Sequence, residues 1–171
     1  THRLEAEGIP YRIETDQTLA EEDWANAWKR FYHPTHLGKR LVVCPSWEEY
    51  TPTPEELVMT LDPGMAFGSG THHTTRLCCE LLEQLPVEHT RILDMGTGSG
   101  ILSIAALMLG AQEAVGVDID KVAVRTAAEN AEVNGFGPDR FTAVAADLIH
   151  QPLEEELTRG GFDIVLANIV A

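Results

Sequence analysis

The residues with the clearest chemical pattern lie in the stretch Ile92 to Gly110, ILDMGTGSGILSIAALMLG. An apolar run is followed by Gly96, Gly98 and Gly100 and then by a second apolar run. This order predicts a buried strand, a tight turn and the start of a helix. Glycines let the turn approach a ligand, and the helix start offers backbone N–H groups without helical partners. The stretch therefore predicts a site for a nucleotide-like ligand.

The glycine spacing and Asp94 narrow the choice of ligand. The dinucleotide fingerprint G-x-G-x-x-G would need glycine or alanine at position 101, which is Ile101. Asp94 precedes the first glycine by two residues, where a carboxylate suits a positively charged ligand better than a pyrophosphate. We therefore expect S-adenosylmethionine, which has a sulfonium, an ammonium and no phosphate, rather than NAD. A tight strand-to-helix turn in another α/β protein is the alternative.

The second half of the chain alternates between predicted strands and helices. The strands are expected at Ile92–Asp94, Ala114–Asp118, Phe141–Ala145 and Phe162–Ala167, and the helices at Gly100–Gly110 and Lys121–Asn134, with Gly135 as the left-handed stop of the second. Such alternation indicates an α/β fold with a mostly parallel, doubly wound sheet. Ligands of these sheets bind at the carboxyl ends of the strands.

Four polar residues mark those strand ends: Asp94, Asp118, Asp147 and Asn168. Asp118 is placed to accept hydrogen bonds from both hydroxyls of a ribose. Its neighbour Asp120 can instead cap the next helix. Asp147 can reach the edge of an adenine, or it can equally be a capping or solvated residue.

A glycine-rich segment, LDPGMAFGSGTHHTT from Leu61 to Thr75, leads into a helix predicted over Thr71–Leu85. Because its glycines make an ordered conformation costly, we expect this loop to contact a ligand. A plain surface connection is the alternative. His72 and His73 are expected to be solvated or capping residues rather than catalysts.

The N-terminal third has fewer patterns that indicate a binding or catalytic site. Glu21–Tyr32 has the apolar spacing of an amphipathic helix, either a core helix or an inter-domain linker. Short strands are expected at Lys39–Cys44 and Glu56–Leu61. We predict a remnant of a substrate-recognition domain over 1–16, a helical linker over 17–50 and a cofactor-binding catalytic domain over 51–171.

Composition limits the partners. The formal charge of −15 argues against direct binding of nucleic-acid phosphates and favours a small molecule or a basic protein. Cys44, Cys78 and Cys79 indicate neither a disulfide framework nor a zinc site, so we expect no metal and a reducing, cytoplasmic location. No apolar run is long enough for a membrane span.

With these residues in view, the chain resembles the Rossmann-like class I S-adenosylmethionine-dependent methyltransferases. More narrowly, DPGMAFGSGTHHTT, DMGTGSGILSIAALMLGA, VGVDID and ANIVA resemble the family that methylates ribosomal protein L11. The resemblance implies cofactor contacts at Thr75, Gly96, Asp118 and Asn168, with Asp94 and Gly98 in the same pocket. Asn168 is also the expected catalytic residue, orienting the amine through its side-chain carbonyl.

The chain departs from these patterns at two places. His73 stands where the L11 family usually has proline, and Asn168 is followed by Ile169 rather than by the prolines and aromatic ring of many amine methyltransferases. The sheet is expected to be truncated after its fourth strand and to continue beyond Ala171 in the natural protein, because Ile164–Val170 is too apolar for an unprotected edge.

The implied reaction is direct methyl transfer to amino groups of ribosomal protein L11. Two alternatives stay open on the sequence alone. One is an N-methyltransferase of another protein or of a small molecule, and the other is a cofactor-binding interaction module without catalysis.

Overall fold

The computed structural model describes residues 32–61, 72–148, 150 and 152–169. The predicted features at Thr1–Glu14 and Glu21–Tyr32 lie outside these residues, apart from Tyr32 itself, and so does the glycine-rich segment over 62–71. The described residues from His33 onward belong to one compact unit. Among the described residues, no helix is long and apolar enough to cross a membrane.

A small mixed sheet comes first. It consists of β1 (Thr35–His36), β2 (Leu41–Cys44) and β3 (Leu57–Thr60). β2 lies between the other two strands, antiparallel to β1 and parallel to β3. All four residues of β2 are buried, as its apolar sequence LVVC predicts. β2 and β3 confirm the two predicted short strands, and their pairing crosses the predicted domain boundary between residues 50 and 51.

The helix α1 (His73–Leu82) follows. His72 caps its first turn, because its ring Nδ1 accepts a hydrogen bond from the Thr74 backbone N–H at 3.3 Å. The predicted capping role is therefore confirmed for His72, and His73 is exposed. Just past the end of α1, the carboxylate of Glu83 accepts hydrogen bonds from three successive backbone N–H groups, those of Lys39, Arg40 and Leu41. This contact joins α1 to the start of β2.

A four-stranded parallel sheet forms the larger layer. Its strands are β4 (Arg91–Met95), β5 (Glu113–Asp118), β6 (Phe141–Ala145) and β7 (Ile164–Ala167), in the order β6-β5-β4-β7. The predicted parallel sheet is confirmed. The strand order reverses between β4 and β7, because β5 and β6 lie on one side of β4 and β7 on the other. Such a reversal creates a crevice at the carboxyl ends of the two strands.

The remaining helices connect these strands: α2 (Ile101–Met108), α3 (Lys121–Val133) and the short α4 (Glu155–Thr158). Asp120 caps α3 by accepting a hydrogen bond from the Val122 backbone N–H at 2.8 Å. After α3, Gly135 has φ +83°, which confirms the predicted left-handed stop. Seven of the eight residues of α2 are buried, so this helix carries much of the core.

β7 begins at Ile164, two residues later than predicted. The guanidinium of Arg91 lies over the ring of Phe162 at 5.1 Å, and the carboxylate of Asp163 accepts a hydrogen bond from the Arg91 backbone N–H at 2.8 Å. Arg91 also donates to the backbone carbonyl of Gly161. These contacts hold the residues before β7 as a connection rather than as part of the strand.

Candidate functional site

The turn after β4 has the shape that its glycines predict. Gly96, Gly98 and Gly100 have φ values of +70°, +55° and +82°, a region that side-chain-bearing residues rarely adopt. The backbone N–H groups of Gly96 and Thr97 both donate to the carbonyl of Val117 in β5, at 2.8 and 3.0 Å. The turn is therefore fixed to the neighbouring strand by two backbone hydrogen bonds of the protein itself.

Asp118 lies directly beside this turn. One carboxylate oxygen accepts a hydrogen bond from the Gly98 backbone N–H at 3.0 Å, and the other accepts one from the Asp120 N–H, also at 3.0 Å. Each oxygen of a carboxylate can accept a second hydrogen bond. Asp118 is half-buried, so it keeps both a fixed position and capacity to bind a ligand.

Asp94 occupies a different position from the other predicted residues. Its side chain is 1% exposed, and one of its oxygens accepts hydrogen bonds from the hydroxyls of Thr97 and Ser103 at 2.8 and 2.7 Å. Burial raises the pKa of the Asp94 carboxyl, and the two hydroxyls oppose this rise. These contacts place Asp94 beneath the turn, where it joins the turn to α2.

Thr75 and Asn168 meet on the other side of the site. The side-chain Nδ2 of Asn168 donates a hydrogen bond to the Thr75 hydroxyl at 3.1 Å, although 93 residues separate them. Thr75 is buried in α1, and Asn168 follows the last residue of β7. The structure thus brings together the two predicted site residues that are most distant in sequence.

Ile169 connects this pair to the glycine turn. A methyl group added at Gly96 would lie 2.0 Å from Cγ2 of Ile169, so the side chain of Ile169 lies against the first glycine. The same isoleucine is 62% exposed. Asn168 and Ile169 therefore bring the end of β7 to the turn that follows β4.

Asp147, at the end of β6, pairs with an exposed histidine. Its carboxylate lies 2.6 Å from Nδ1 of His150. A contact with an exposed histidine is typical of a residue in a surface connection. The predicted contact between Asp147 and an adenine stays a prediction.

Three residues of the site were not found from the sequence. Thr97 and Ser103 bind Asp94, and Asn130 donates from its Nδ2 to the backbone carbonyl of Ser99 at 2.9 Å. One signal for Asn130 exists in the sequence. It shares the buried face of α3 with Ala123, Ala127 and Ala131, and a polar residue within an apolar stripe needs a hydrogen-bond partner.

No group of three or more histidine, cysteine or acidic side chains is arranged to hold a metal ion in the described part of the chain. Cys44, Cys78 and Cys79 are all free thiols. Burial is the main cause that raises the pKa of Cys79, to about 12, so this thiol remains protonated at neutral pH.

Comparison with known proteins settles the family. The family model described as "Ribosomal protein L11 methyltransferase" matches residues 3–171. The chain belongs to the ribosomal protein L11 methyltransferase family. The resemblance drawn from the glycine turn, Asp118 and the loop before α1 is thereby confirmed.

Individual members of the L11 methyltransferase family are similar over nearly the whole chain. A ribosomal protein L11 methyltransferase of Geobacter metallireducens is 52% identical over 157 residues, which cover 92% of this chain and 49% of the relative. That of Geobacter sulfurreducens is 49% identical over 164 residues, covering 96% of this chain and 51% of the relative. The chain therefore spans about half the length of the curated relatives that it matches.

The crystal structure of a ribosomal protein L11 methylase from Lactobacillus delbrueckii subsp. bulgaricus is also similar. Its TM-score is 0.69 at 36% sequence identity, covering 82% of this chain and 68% of that one. This similarity confirms the class I methyltransferase fold predicted from the strand and helix alternation.

Proposed function

We propose that this chain supplies the cofactor-binding part of an S-adenosylmethionine-dependent protein N-methyltransferase that acts on amino groups of ribosomal protein L11. Family membership supports the proposal. The observation that carries it is the hydrogen bond between Asn168 and Thr75 beside the glycine turn. It holds a polar amide where an acceptor amine would have to approach the cofactor.

The turn fits the cofactor. Its three glycines let the backbone approach a ligand closely, and Gly100 directly precedes α2, whose first N–H groups favour electron-rich ligand atoms. Asp118 has unused acceptor capacity for the ribose hydroxyls, and a phosphorylated ribose would be repelled there. We assign cofactor binding to Thr75, Gly96, Gly98, Asp118 and Asn168.

The position of Asp94 favours a supporting contribution to binding. Its carboxylate is buried beneath the turn and already receives two hydroxyl hydrogen bonds. We propose that Asp94 stabilises the turn and adds a negative charge beneath a cationic ligand, without touching it.

When bound, S-adenosylmethionine supplies an electrophilic methyl group on its sulfonium. The protein must then present a neutral amine, although the ammonium of lysine has a reference pKa of about 10.4. Desolvation against Ile169 favours the neutral form, and a hydrogen-bond acceptor can hold one of its remaining protons. Because Nδ2 of Asn168 donates to Thr75, the side-chain carbonyl of Asn168 is the atom left for this purpose.

The substrate class follows from the family and from charge. A formal charge of −15 suits a basic protein such as a ribosomal protein and disfavours direct contact with nucleic acid. Such a substrate also places the activity in the cytoplasm. The remnant of a substrate-recognition domain predicted for residues 1–16 and the helical linker predicted for 17–50 belong to the same proposal.

A labelling experiment tests this function. The full-length gene product is mixed with S-adenosylmethionine carrying a labelled methyl group, with ribosomal protein L11, and separately with small-molecule amines. We expect label on amino groups of L11. Label confined to small molecules would overturn the substrate, and cofactor binding without transfer to any acceptor would indicate an interaction module instead.

A further inference from the structure

One buried contact on the glycine turn comes from a residue with no assigned role. Asn130 lies in the last turn of α3 and donates a hydrogen bond from its Nδ2 to the Ser99 carbonyl at 2.9 Å. Asn130 is 6% exposed and Ser99 is 0% exposed. A buried amide destabilises a fold unless it is hydrogen-bonded. The side chain of Asn130 therefore depends on its hydrogen bond to the turn.

The turn needs such a contact because its three glycines give its backbone a large conformational freedom. Gly96, Gly98 and Gly100 all have positive φ, and glycine has many accessible backbone conformations. The first half of the turn is fixed by the two hydrogen bonds to Val117. Ser99, in the second half, is held by Asn130.

α3 also begins three residues after Asp118, the proposed ribose acceptor. One helix therefore fixes the second half of the turn and follows directly from the residue that would bind the ribose. A ligand that contacts both regions gains affinity when their separation is set before it binds.

We propose that Asn130 is a positioning residue for S-adenosylmethionine binding, which acts by holding Ser99 and, through it, the backbone of the glycine turn. This inference rests on the proposed function. Asn130 itself does not touch the ligand. Its loss weakens cofactor binding while leaving the hydrogen-bonded pair Asn168 and Thr75 in place.

Asn134, which caps the C-terminal end of α3, provides a matched control. It lies one turn further along, and its side-chain amide exchanges two hydrogen bonds with the backbone of Thr60, at 2.9 and 2.6 Å. Its Nδ2 also donates to the backbone carbonyl of Asn130 at 2.7 Å. Its side chain thus anchors α3 to β3 rather than to the turn.

The test compares Asn130→Asp with Asn134→Asp in the full chain. Each change keeps the side-chain shape and replaces an N–H donor by an oxygen that repels the facing carbonyl. Calorimetric titration with S-adenosylmethionine, at a temperature where circular dichroism shows both variants folded, should give a Kd raised about tenfold or more for Asn130→Asp, because the cost of ordering the turn then opposes binding. Asn134→Asp should bind within about twofold of the unmodified chain, because its side chain does not reach the turn. In the full-length enzyme, Asn130→Asp should raise the KM for the cofactor and leave kcat at saturation within about twofold, a split that general loss of stability would not produce.

The possible outcomes separate the two proposals. Absence of cofactor binding by the unmodified chain would overturn the proposed function. Normal binding by the unmodified chain together with an unchanged Kd in folded Asn130→Asp would overturn only the positioning role. An equal rise in Kd for both variants would also overturn it, because the effect would then belong to α3 as a whole. If Asn130→Asp does not fold, Asn130→Ser, which is too short to reach the Ser99 carbonyl and carries no charge, is judged by the same criteria.

Discussion

Asn168 and Thr75 are joined by a hydrogen bond from an amide Nδ2 to a hydroxyl oxygen at 3.1 Å. The pair links the residue after β7, one of the two strands between which the strand order reverses, to the first turn of α1. An amide held by its nitrogen presents its oxygen in a fixed direction. In the proposed reaction, Thr75 would therefore determine which atom of Asn168 faces the amine.

Replacing Thr75 by valine tests this arrangement. Valine keeps the shape of threonine and removes the hydroxyl, which leaves Nδ2 of Asn168 without this acceptor at a cost of about 1–3 kcal/mol. We expect the rate of methyl transfer at saturating cofactor to fall about tenfold or more. Thr75→Ser keeps the hydroxyl and should retain most of the rate, as measured by transfer of a labelled methyl group. Equal rates for the two variants would contradict the orienting role.

Replacing Asp118 by alanine tests the ribose contact. The change removes a carboxylate that would accept hydrogen bonds from two ribose hydroxyls, each worth about 1.5–3 kcal/mol with a charged acceptor. Because two such hydrogen bonds together are worth about 3–6 kcal/mol, the expected result in calorimetry is a loss of S-adenosylmethionine affinity of about a hundredfold or more.

Asp120→Ala is the control for this change, because Asp120 is an exposed acid two residues away that caps α3. Losing the cap should lower the free energy of unfolding by about 1 kcal/mol and leave the affinity unchanged. Similar affinities for the two alanine variants would argue against ribose binding by Asp118.

Local patterns in the sequence were sufficient for most of the fold. The strands β4, β5 and β6 lie within about a residue of their predicted bounds, because an apolar run between glycine or aspartate residues is a local signal. The beginning of β7 was predicted too early, since the contacts of Phe162 and Asp163 with Arg91 depend on β7 lying next to β4. A local sequence pattern does not determine strand order, so the beginning of β7 could not be predicted from it.

The same reasoning applies to the site. Asp118 was placed beside the glycine turn because strand ends meet at one edge of a parallel sheet. The hydrogen bond from Asn130 to Ser99 could not be predicted, because it requires knowing which face of α3 packs on the turn. Asp94 was predicted to contact the ligand, and only the structure shows Thr97 and Ser103 enclosing its carboxylate.

Acidification should weaken the contact between Glu83 and the start of β2. Burial alone would raise the pKa of Glu83, but the backbone N–H groups of Lys39, Arg40 and Leu41 outweigh it and hold the pKa below its ordinary value. A carboxyl group with a lowered folded-state pKa stabilises the fold above its unfolded pKa, about 4.3 for glutamate, and this contribution is lost as the pH falls through the folded pKa.

Urea unfolding at pH 7 and at about pH 3.5 measures this effect. Glu83→Gln should be less stable than the unmodified chain at pH 7, and the difference should shrink at the lower pH. Glu80→Gln removes an acid that pairs with the exposed side chain of Arg76 on the same helix and should change stability little at either pH. A constant difference between Glu83→Gln and the unmodified chain at both values would show that the charge of Glu83 is not what stabilises the contact.

Gly100, which directly precedes α2, should be harder to replace by alanine than Gly135, which follows α3. The φ of +82° at Gly100 strains any side-chain-bearing residue, and a Cβ there would lie 3.1 to 3.3 Å from Cβ, Cα and the carbonyl oxygen of Ala127. Gly135 has nearly the same φ, +83°, with nothing within 4 Å of an added Cβ. Alanine at position 135 should therefore cost only backbone strain, about 1–2 kcal/mol, whereas alanine at position 100 should cost about 1–3 kcal/mol more from overpacking. Denaturant unfolding of both variants measures the difference, and equal losses would show that α2 and α3 separate easily enough to accept the added methyl group.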